Sequence, residues 1–167
     1  MIVEIKDSEQ KAKIASAILS DLPEWFGIPK HTKNYIETSK DLPFFAAYVD
    51  KQPIGFIVLK STSDFTAEIY CMGVLKAHQH QGFGRLLLKR FESYARKHGY
   101  KLIQVKTVEQ GKYEEYDATN AFYRSMGFYE VEVFPSLWDE WNPCQLFIKT
   151  IDTNQARQKF YEEEDLC

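Results

Sequence analysis

Apolar and polar residues alternate over residues 2–6, which predicts a short half-buried strand. Asp7-x-x-Gln10 follows as a capping-box pattern, opening a helix with Ile14, Ala17 and Ile18 on one face. Pro23 ends that helix. Trp25, Phe26 and Ile28 make an aromatic loop, and residues 31–40 predict a second helix. Residues 43–49 and 54–59 read as two strands around the turn Asp50-Lys51-Gln52-Pro53, a hairpin. A longer strand covers residues 65–74. Phe83, Leu86, Leu87, Phe91, Tyr94 and Ala95 then recur at helical spacing, and Gly99 stops the helix.

Residues 102–108 form an apolar strand. A helix between two strands predicts a β-α-β unit, so residues 65–74 and 102–108 are expected to be parallel neighbours. A polar loop over 109–116 leads to a short helix that Asp117 or Thr119 can cap, with Gly127 at its left-handed end. Residues 128–134 and 145–151 predict two antiparallel strands joined by a loop, 135–143, that holds Trp138 and Trp141. The segment 152–167, with Glu162, Glu163, Glu164 and Asp165, reads as an acidic C-terminal tail, either a solvated helix or disordered. Residues 1–151 are expected to form one domain.

Composition narrows the function classes. A chain of 167 residues with 44% hydrophobic and 15% aromatic residues can bury a substantial core without disulfides or metals. A net charge of −3 offers no basic face for nucleic acid. No apolar run has the length of a membrane span, and Glu4, Lys6 and Asp7 interrupt any signal-peptide core. Cys71, Cys144 and Cys167 have no metal-ligand spacing, and their odd number argues against a disulfide framework. A cytoplasmic protein with no metal is the expectation.

The most informative run is Val74 to Arg85, where a strand passes through Gln79-x-x-Gly82-x-Gly84 directly into an amphipathic helix. Glycines at such a turn let backbone N–H groups converge where the helix dipole adds partial positive charge, a bowl for phosphate or pyrophosphate. A dinucleotide fingerprint needs a third glycine where Leu87 stands, and a Walker loop needs Gly-Lys-Ser/Thr, which is absent. The pattern Gln/Arg-x-x-Gly-x-Gly/Ala after a strand ending in valine resembles the coenzyme A pyrophosphate loop of the GNAT superfamily of N-acetyltransferases. Residues 118–128, Ala-Thr-Asn-Ala-Phe-Tyr-Arg-Ser-Met-Gly-Phe, resemble the later motif of the same superfamily, with the asparagine only three residues before Tyr123.

This resemblance implies an α+β fold, a mixed and mostly antiparallel sheet of about seven strands with about four helices on both faces. It also implies transfer of an acetyl group from acetyl-CoA to a primary amine of a small-molecule or peptide acceptor, within a ternary complex. The alternatives are a non-catalytic acyl-CoA-binding regulatory module, or an acyltransferase with another acyl group or acceptor. A homodimer is compatible with either.

The chemistry must supply a free amine and stabilise a departing thiolate. An amine of pKa near 10.4 is mostly protonated at neutral pH, which costs about 4–5 kcal/mol of nucleophile availability. Tyr123 matches the tyrosine that the superfamily uses as acid; its phenol is best described as a hydrogen-bond donor to the developing thiolate. Glu68 resembles the general base of one branch, its alternative being a solvent-facing glutamate; Tyr70 or water are the other candidates for the base. Strand alternation puts Glu68, Tyr70 and Met72 on one face and Ile69, Cys71 and Gly73 on the other.

By the same resemblance, the backbone N–H groups from Gln79 through His80, Gln81, Gly82, Phe83 and Gly84 to Arg85 hold the pyrophosphate. Backbone groups of Met72, Gly73 and Val74 pair with the pantetheine arm as an added strand would, with oxyanion stabilisation from an N–H near Met72. Asn120 contacts the pantetheine or its surroundings. Arg124 either reaches a phosphate or stays solvated. His78 and His80 read as exposed loop residues, and Cys71 as a small buried one. Trp25, Phe26, Tyr70, Trp138 and Trp141 are the candidates for an acceptor wall, and Tyr35 lies on the same segments. With Asp139, Glu140, Glu114, Glu115 and Asp117 nearby, they suit a cationic acceptor.

Overall fold

The computed structural model describes residues 1–151; the acidic tail expected over 152–167 lies outside the described residues. The strands are β1 (Ile2–Ile5), β2 (Phe44–Val49), β3 (Gln52–Ser61), β4 (Thr66–Val74), β5 (Leu102–Val108), β6 (Tyr129–Asp139) and β7 (Asn142–Thr150). They form one seven-stranded sheet in the order β1-β2-β3-β4-β5-β7-β6. The helices are α1 (Ser8–Ser20), α2 (Pro29–Ser39), α3 (Phe83–Lys97) and α4 (Glu114–Ser125). β4 and β5 run parallel, as the α3 crossover between them requires, and every other neighbouring pair is antiparallel. This is the mixed, mostly antiparallel α+β architecture that the resemblance implied.

Alternation along the strands sends successive side chains into two cores. Phe45, Ile57, Leu59, Ile69, Ile103 and Phe147 lie with Leu87, Leu88 and Phe91 of α3 and Tyr123 of α4. Phe44, Ala46, Phe56 and Val58 lie with Ile14, Ile18 and Leu19 of α1, and Phe44 stacks on Phe56 at 5.1 Å. Each of the buried Val, Leu, Ile and Phe side chains contributes about 1.5–3 kcal/mol.

Several local expectations need correction. Asp7 does cap α1, accepting from the Gln10 N–H at 2.7 Å, but the Gln10 amide turns to the Tyr48 hydroxyl rather than closing the box. Leu86 faces outward, and Leu88 takes a core position instead. α4 begins at Glu114, not at Asp117 or Thr119. Asp117 accepts from the Gly111 N–H at 2.7 Å, and the Thr119 hydroxyl donates to Glu115 O within the helix. The expected loop 135–143 is mostly strand: β6 and β7 continue to a tight turn closed by Asp139, which accepts from the N–H groups of Trp141 and Asn142. Gly127, with φ +89°, ends α4 as the sequence suggested.

The feature that positions the site is the parting of β4 and β5. Their pairing covers Thr66↔Leu102, Ala67↔Ile103 and Glu68↔Gln104, and then stops while both strands continue. Leu75 N–H donates to Ile54 O, so by antiparallel alternation the peptide groups of Val74 and Met72 point away from β3, into the gap.

A bulge changes the reading of β4. Val58 pairs with Cys71 and Leu59 with Ile69, which leaves Tyr70 as the extra residue. Tyr70 and Cys71 therefore both sit on the α1–α2 side, and Met72 crosses to the α3–α4 side. The simple alternation that grouped Met72 with Glu68 and Tyr70 fails at this point.

The end of α1 rests on Gly73: a Cβ there would meet Leu22 Cδ1 at 3.0 Å and Ile18 Cγ2 at 3.1 Å. Gly73→Val is expected to destabilise the fold by about 1–3 kcal/mol through overpacking, read as a lower thermal midpoint; an unchanged midpoint would show that α1 yields freely.

Candidate active site

The run after β4 is built to leave donors free. Residues Lys76–His78 form one 3-10 turn, and the Gln79 side chain donates to Val74 O at 3.1 Å, folding the loop back on the strand. His80 (φ +59°) and Gly82 (φ +88°) are left-handed, and Gly82 caps α3 with no side-chain hydrogen bond. The first bond of the helix is Leu86 N–H to Gly82 O. Among the described residues, the N–H groups of His80, Gln81, Gly82, Phe83, Gly84 and Arg85 therefore have no backbone acceptor. Gln79 is the exception to the expectation, because its N–H donates to Lys76 O at 3.3 Å. A Cβ on Gly84 would lie 3.4 Å from the Phe122 ring and 3.5 Å from Met72 Cε, so helix, loop and gap meet there.

α4 presents Tyr116, Asn120 and Tyr123 at helical spacing. The buried Asn120 amide donates to Val108 O at 2.9 Å and Tyr116 O at 2.7 Å, which ties α4 to the end of β5. Its Oδ1 is buried without a partner. Tyr123 packs its ring against Phe122, Phe128 and Phe147, and burial pushes its phenol well above the usual value. The hydroxyl makes no hydrogen bond among the described residues, yet is not one of the fully buried orphans. It is a protonated donor. Arg124 pairs with Glu130 and lies over Phe147.

At the fork, Glu68 is nearly buried, and its Oε1 accepts from Lys106 Nζ at 2.8 Å and Gln104 Nε2 at 3.3 Å. Tyr70 contacts Tyr35 ring to ring at 5.3 Å, Tyr35 contacts Phe26 at 5.9 Å, and Lys60 lies over Tyr70. Burial pushes the Tyr35 and Tyr116 phenols up to about 12. It also pushes the Cys71 thiol up, opposed only in part by the Met72 N–H, so Cys71 is inert as a nucleophile. Trp25 Nε1 donates to Thr119 Oγ1 at 3.1 Å, and Tyr116 OH donates to Trp25 O at 3.0 Å.

The structure thus gathers Glu68, Tyr70, Phe26 and Trp25 on the α1–α2 side of the gap. Trp138 and Trp141 stand apart, exposed near the tip of the β6–β7 hairpin. Asn142, the Trp141 and Asn142 N–H groups and the charge of nearby His31 hold Asp139 below the usual carboxylate range.

The profile of the acetyltransferase (GNAT) family matches residues 11–128. The chain belongs to this family. It is an N-acetyltransferase with the family's fold. It is 28% identical over 120 residues to an uncharacterized N-acetyltransferase of Chlorobaculum tepidum, covering 70% of each chain. An aminoglycoside 6'-N-acetyltransferase from Enterococcus faecium superposes with TM-score 0.72 at 17% identity, over 92% of this chain and 98% of that one. A GNAT family acetyltransferase from Elizabethkingia anophelis, solved with acetyl-CoA bound, superposes with TM-score 0.62 at 21% identity, over 77% and 87%. Among the described residues no helix is long and apolar enough to cross a membrane, and no cluster of His, Cys, Asp or Glu could hold a metal ion.

Sequence reasoning missed Lys106, Gln104, Tyr116 and Thr119 in this N-acetyltransferase. Lys106 and Gln104 share a strand parity on β5, and Tyr116 precedes Asn120 by one helical turn, so the signal was present. It needed the register of β4 against β5 and the true start of α4.

A phenol whose folded-state value is raised from 10.0 to about 12 favours folding fully below pH 10, and loses that contribution as pH rises toward 12. Absorbance at 295 nm should show Tyr35 and Tyr116 ionising late, with the thermal midpoint falling across this window. Tyr116→Phe should remove one of the late ionisations; a normal titration of every tyrosine would contradict the burial described.

Proposed function

We propose that this enzyme transfers an acetyl group from acetyl-CoA to a primary amine by direct attack within a ternary complex. The observation that carries the reading is the run of free N–H groups from His80 to Arg85, opening beside the unpaired edge of β4. Converging amides at the start of a fifteen-residue helix suit a pyrophosphate. Arg85, exposed at the same place, adds a cation. The gap-facing peptide groups of Met72 and Val74 offer strand-like hydrogen bonds to the two amides of a pantetheine arm. Asn120 Oδ1 is a buried acceptor in need of a donor, and it lies beside Val108 on the opposite wall. These residues fit coenzyme A.

A thioester supplies an activated acetyl carbon and a thiolate leaving group. The chain's own residues then have three tasks. The gap-facing N–H at Met72 is aimed where negative charge develops on the carbonyl oxygen. Tyr123, kept protonated by its buried ring, donates to the developing thiolate. Glu68 is the base for the incoming amine, acting through water: its Oε1 is already held by Lys106 and Gln104, so the carboxylate has a fixed orientation. Tyr70, on Glu68's side of the sheet, lines the path between them and the acceptor.

The acceptor class follows from the walls. Tyr70, Tyr35, Phe26 and Trp25 supply ring faces, and Glu68 supplies the negative charge beside them. A small cationic amine suits both. Trp138 and Trp141 extend the apolar rim on the hairpin and would engage the more distant part of a larger acceptor.

Tyr123→Phe is expected to lower turnover tenfold or more (order of magnitude,) with coenzyme A affinity by calorimetry nearly unchanged; equal loss of both would make the residue structural. Gly84→Val should abolish coenzyme A binding in a chain that still folds by circular dichroism, because its side chain would enter the space between Phe122 and Met72. Normal affinity in that variant would remove the loop from the site. A panel of amines assayed by thiol release, with acetyl, propionyl and succinyl thioesters, tests the reaction itself. Tight coenzyme binding without release for any pair would mark a binding module.

A further inference from the structure

The two walls of the gap are joined at their open end by a pair of hydrogen bonds that the fold alone does not demand. On the β4 side, Leu22 at the end of α1 packs on Gly73, and Trp25 and Phe26 N–H groups donate back to Leu22 O. On the β5 side, Asn120 anchors α4 to Val108. Between them Trp25 reaches across: its ring N–H meets Thr119 and its carbonyl accepts from Tyr116. Tyr116 is doubly engaged, since its own carbonyl receives the Asn120 amide. Thr119 orients its hydroxyl by donating to Glu115 O, which leaves a lone pair for the indole. The strands have separated by this point, so the indole spans the place where the sheet no longer closes itself.

We propose that Tyr116 and Thr119 are positioning residues that hold Trp25 as a roof over the gap, and that this roof keeps water from the thioester while leaving the Tyr35–Tyr70 side as the amine's entrance. The inference rests on the reading that the gap holds acetyl-CoA. Water and amine compete for the same acetyl carbon. In the unwanted reaction a water oxygen attacks the carbonyl, the C–S bond breaks, the departing thiolate takes one water proton to become the thiol, and the other proton is released to solvent from the acetic acid as it forms acetate. A large apolar ring fixed at both its backbone and its ring nitrogen excludes solvent without offering a polar group of its own, apart from the N–H that Thr119 occupies.

The test uses a Trp138→Phe/Trp141→Phe background, in which Trp25 is the remaining tryptophan of the three in the chain. Acrylamide quenching of Trp25 emission reports its shielding, calorimetry reports coenzyme A affinity, and thiol release without amine reports hydrolysis of acetyl-CoA. Thr119→Val and Tyr116→Phe are expected to raise both the quenching and the amine-independent hydrolysis, the latter about fivefold for each bond lost. Coenzyme A affinity should stay near the parent value, because neither side chain belongs to the pyrophosphate loop. Thr119→Ser, which keeps the hydroxyl, should return both readings to the parent values. Unchanged quenching in both variants would show that the bonds do not hold the indole. Raised quenching with parental hydrolysis would show that the indole is not a roof. Loss of coenzyme affinity in step with the thermal midpoint would make the bonds merely structural. A parent that binds no coenzyme A by calorimetry would remove the underlying reading, and the roof with it.

Discussion

Buried peptide groups must find partners, and in this fold two neighbouring strands stop providing them to each other. β4 and β5 pair through Glu68 and Gln104 and then diverge, while the antiparallel ladder to β3 and the ladder to β7 hold each strand in place from its other side. The cost of an unsatisfied backbone edge is tolerable only if something else meets it. Gln79 takes one carbonyl, Val74 O, and Asn120 takes another, Val108 O. What is left over, the peptide groups facing the gap and the free amides beginning α3, is a set of donors and acceptors prepared for a long polar ligand. The catalytic proposal is a consequence of that remainder.

The side chains around the gap divide by environment. Tyr123, Tyr35 and Tyr116 all lie where burial disfavours the phenolate, so each acts as a donor or a ring face and none as a base. Glu68 is the acidic group at the fork, and it sits beside Lys106 rather than alone. Pairing removes the penalty of a buried unpaired carboxylate and fixes its direction.

Much of this is legible in the sequence. Gln79-x-x-Gly82-x-Gly84 at a strand-to-helix junction, and the run from Asn120 to Phe128, are local patterns whose physics is contained in a few consecutive residues. So are the Asp7 cap, the β-α-β unit and the left-handed Gly127. The errors are of another type. Residues 135–143 carry Pro135, Pro143 and polar positions, which suggest a loop, yet pairing with a neighbour strand draws most of them into a hairpin. β6 is an edge strand, where proline is tolerated. Alternation along β4 broke at Tyr70 because a bulge is set by the register against the facing strand, β3, and not by the residues of β4 themselves.

The amino-acid order by itself determined most of the elements, the glycine turn that opens α3 and the family, because each depends on dihedral preferences and periodicity over at most a few turns of chain. The tertiary structure alone decided that Glu68 meets Lys106, that Met72 changes sides, and that Trp25 is held by Tyr116 and Thr119. Those contacts join residues far apart in the chain, and their geometry depends on strand register and helix start points. A shift of one residue in either would turn each of these side chains to a different face.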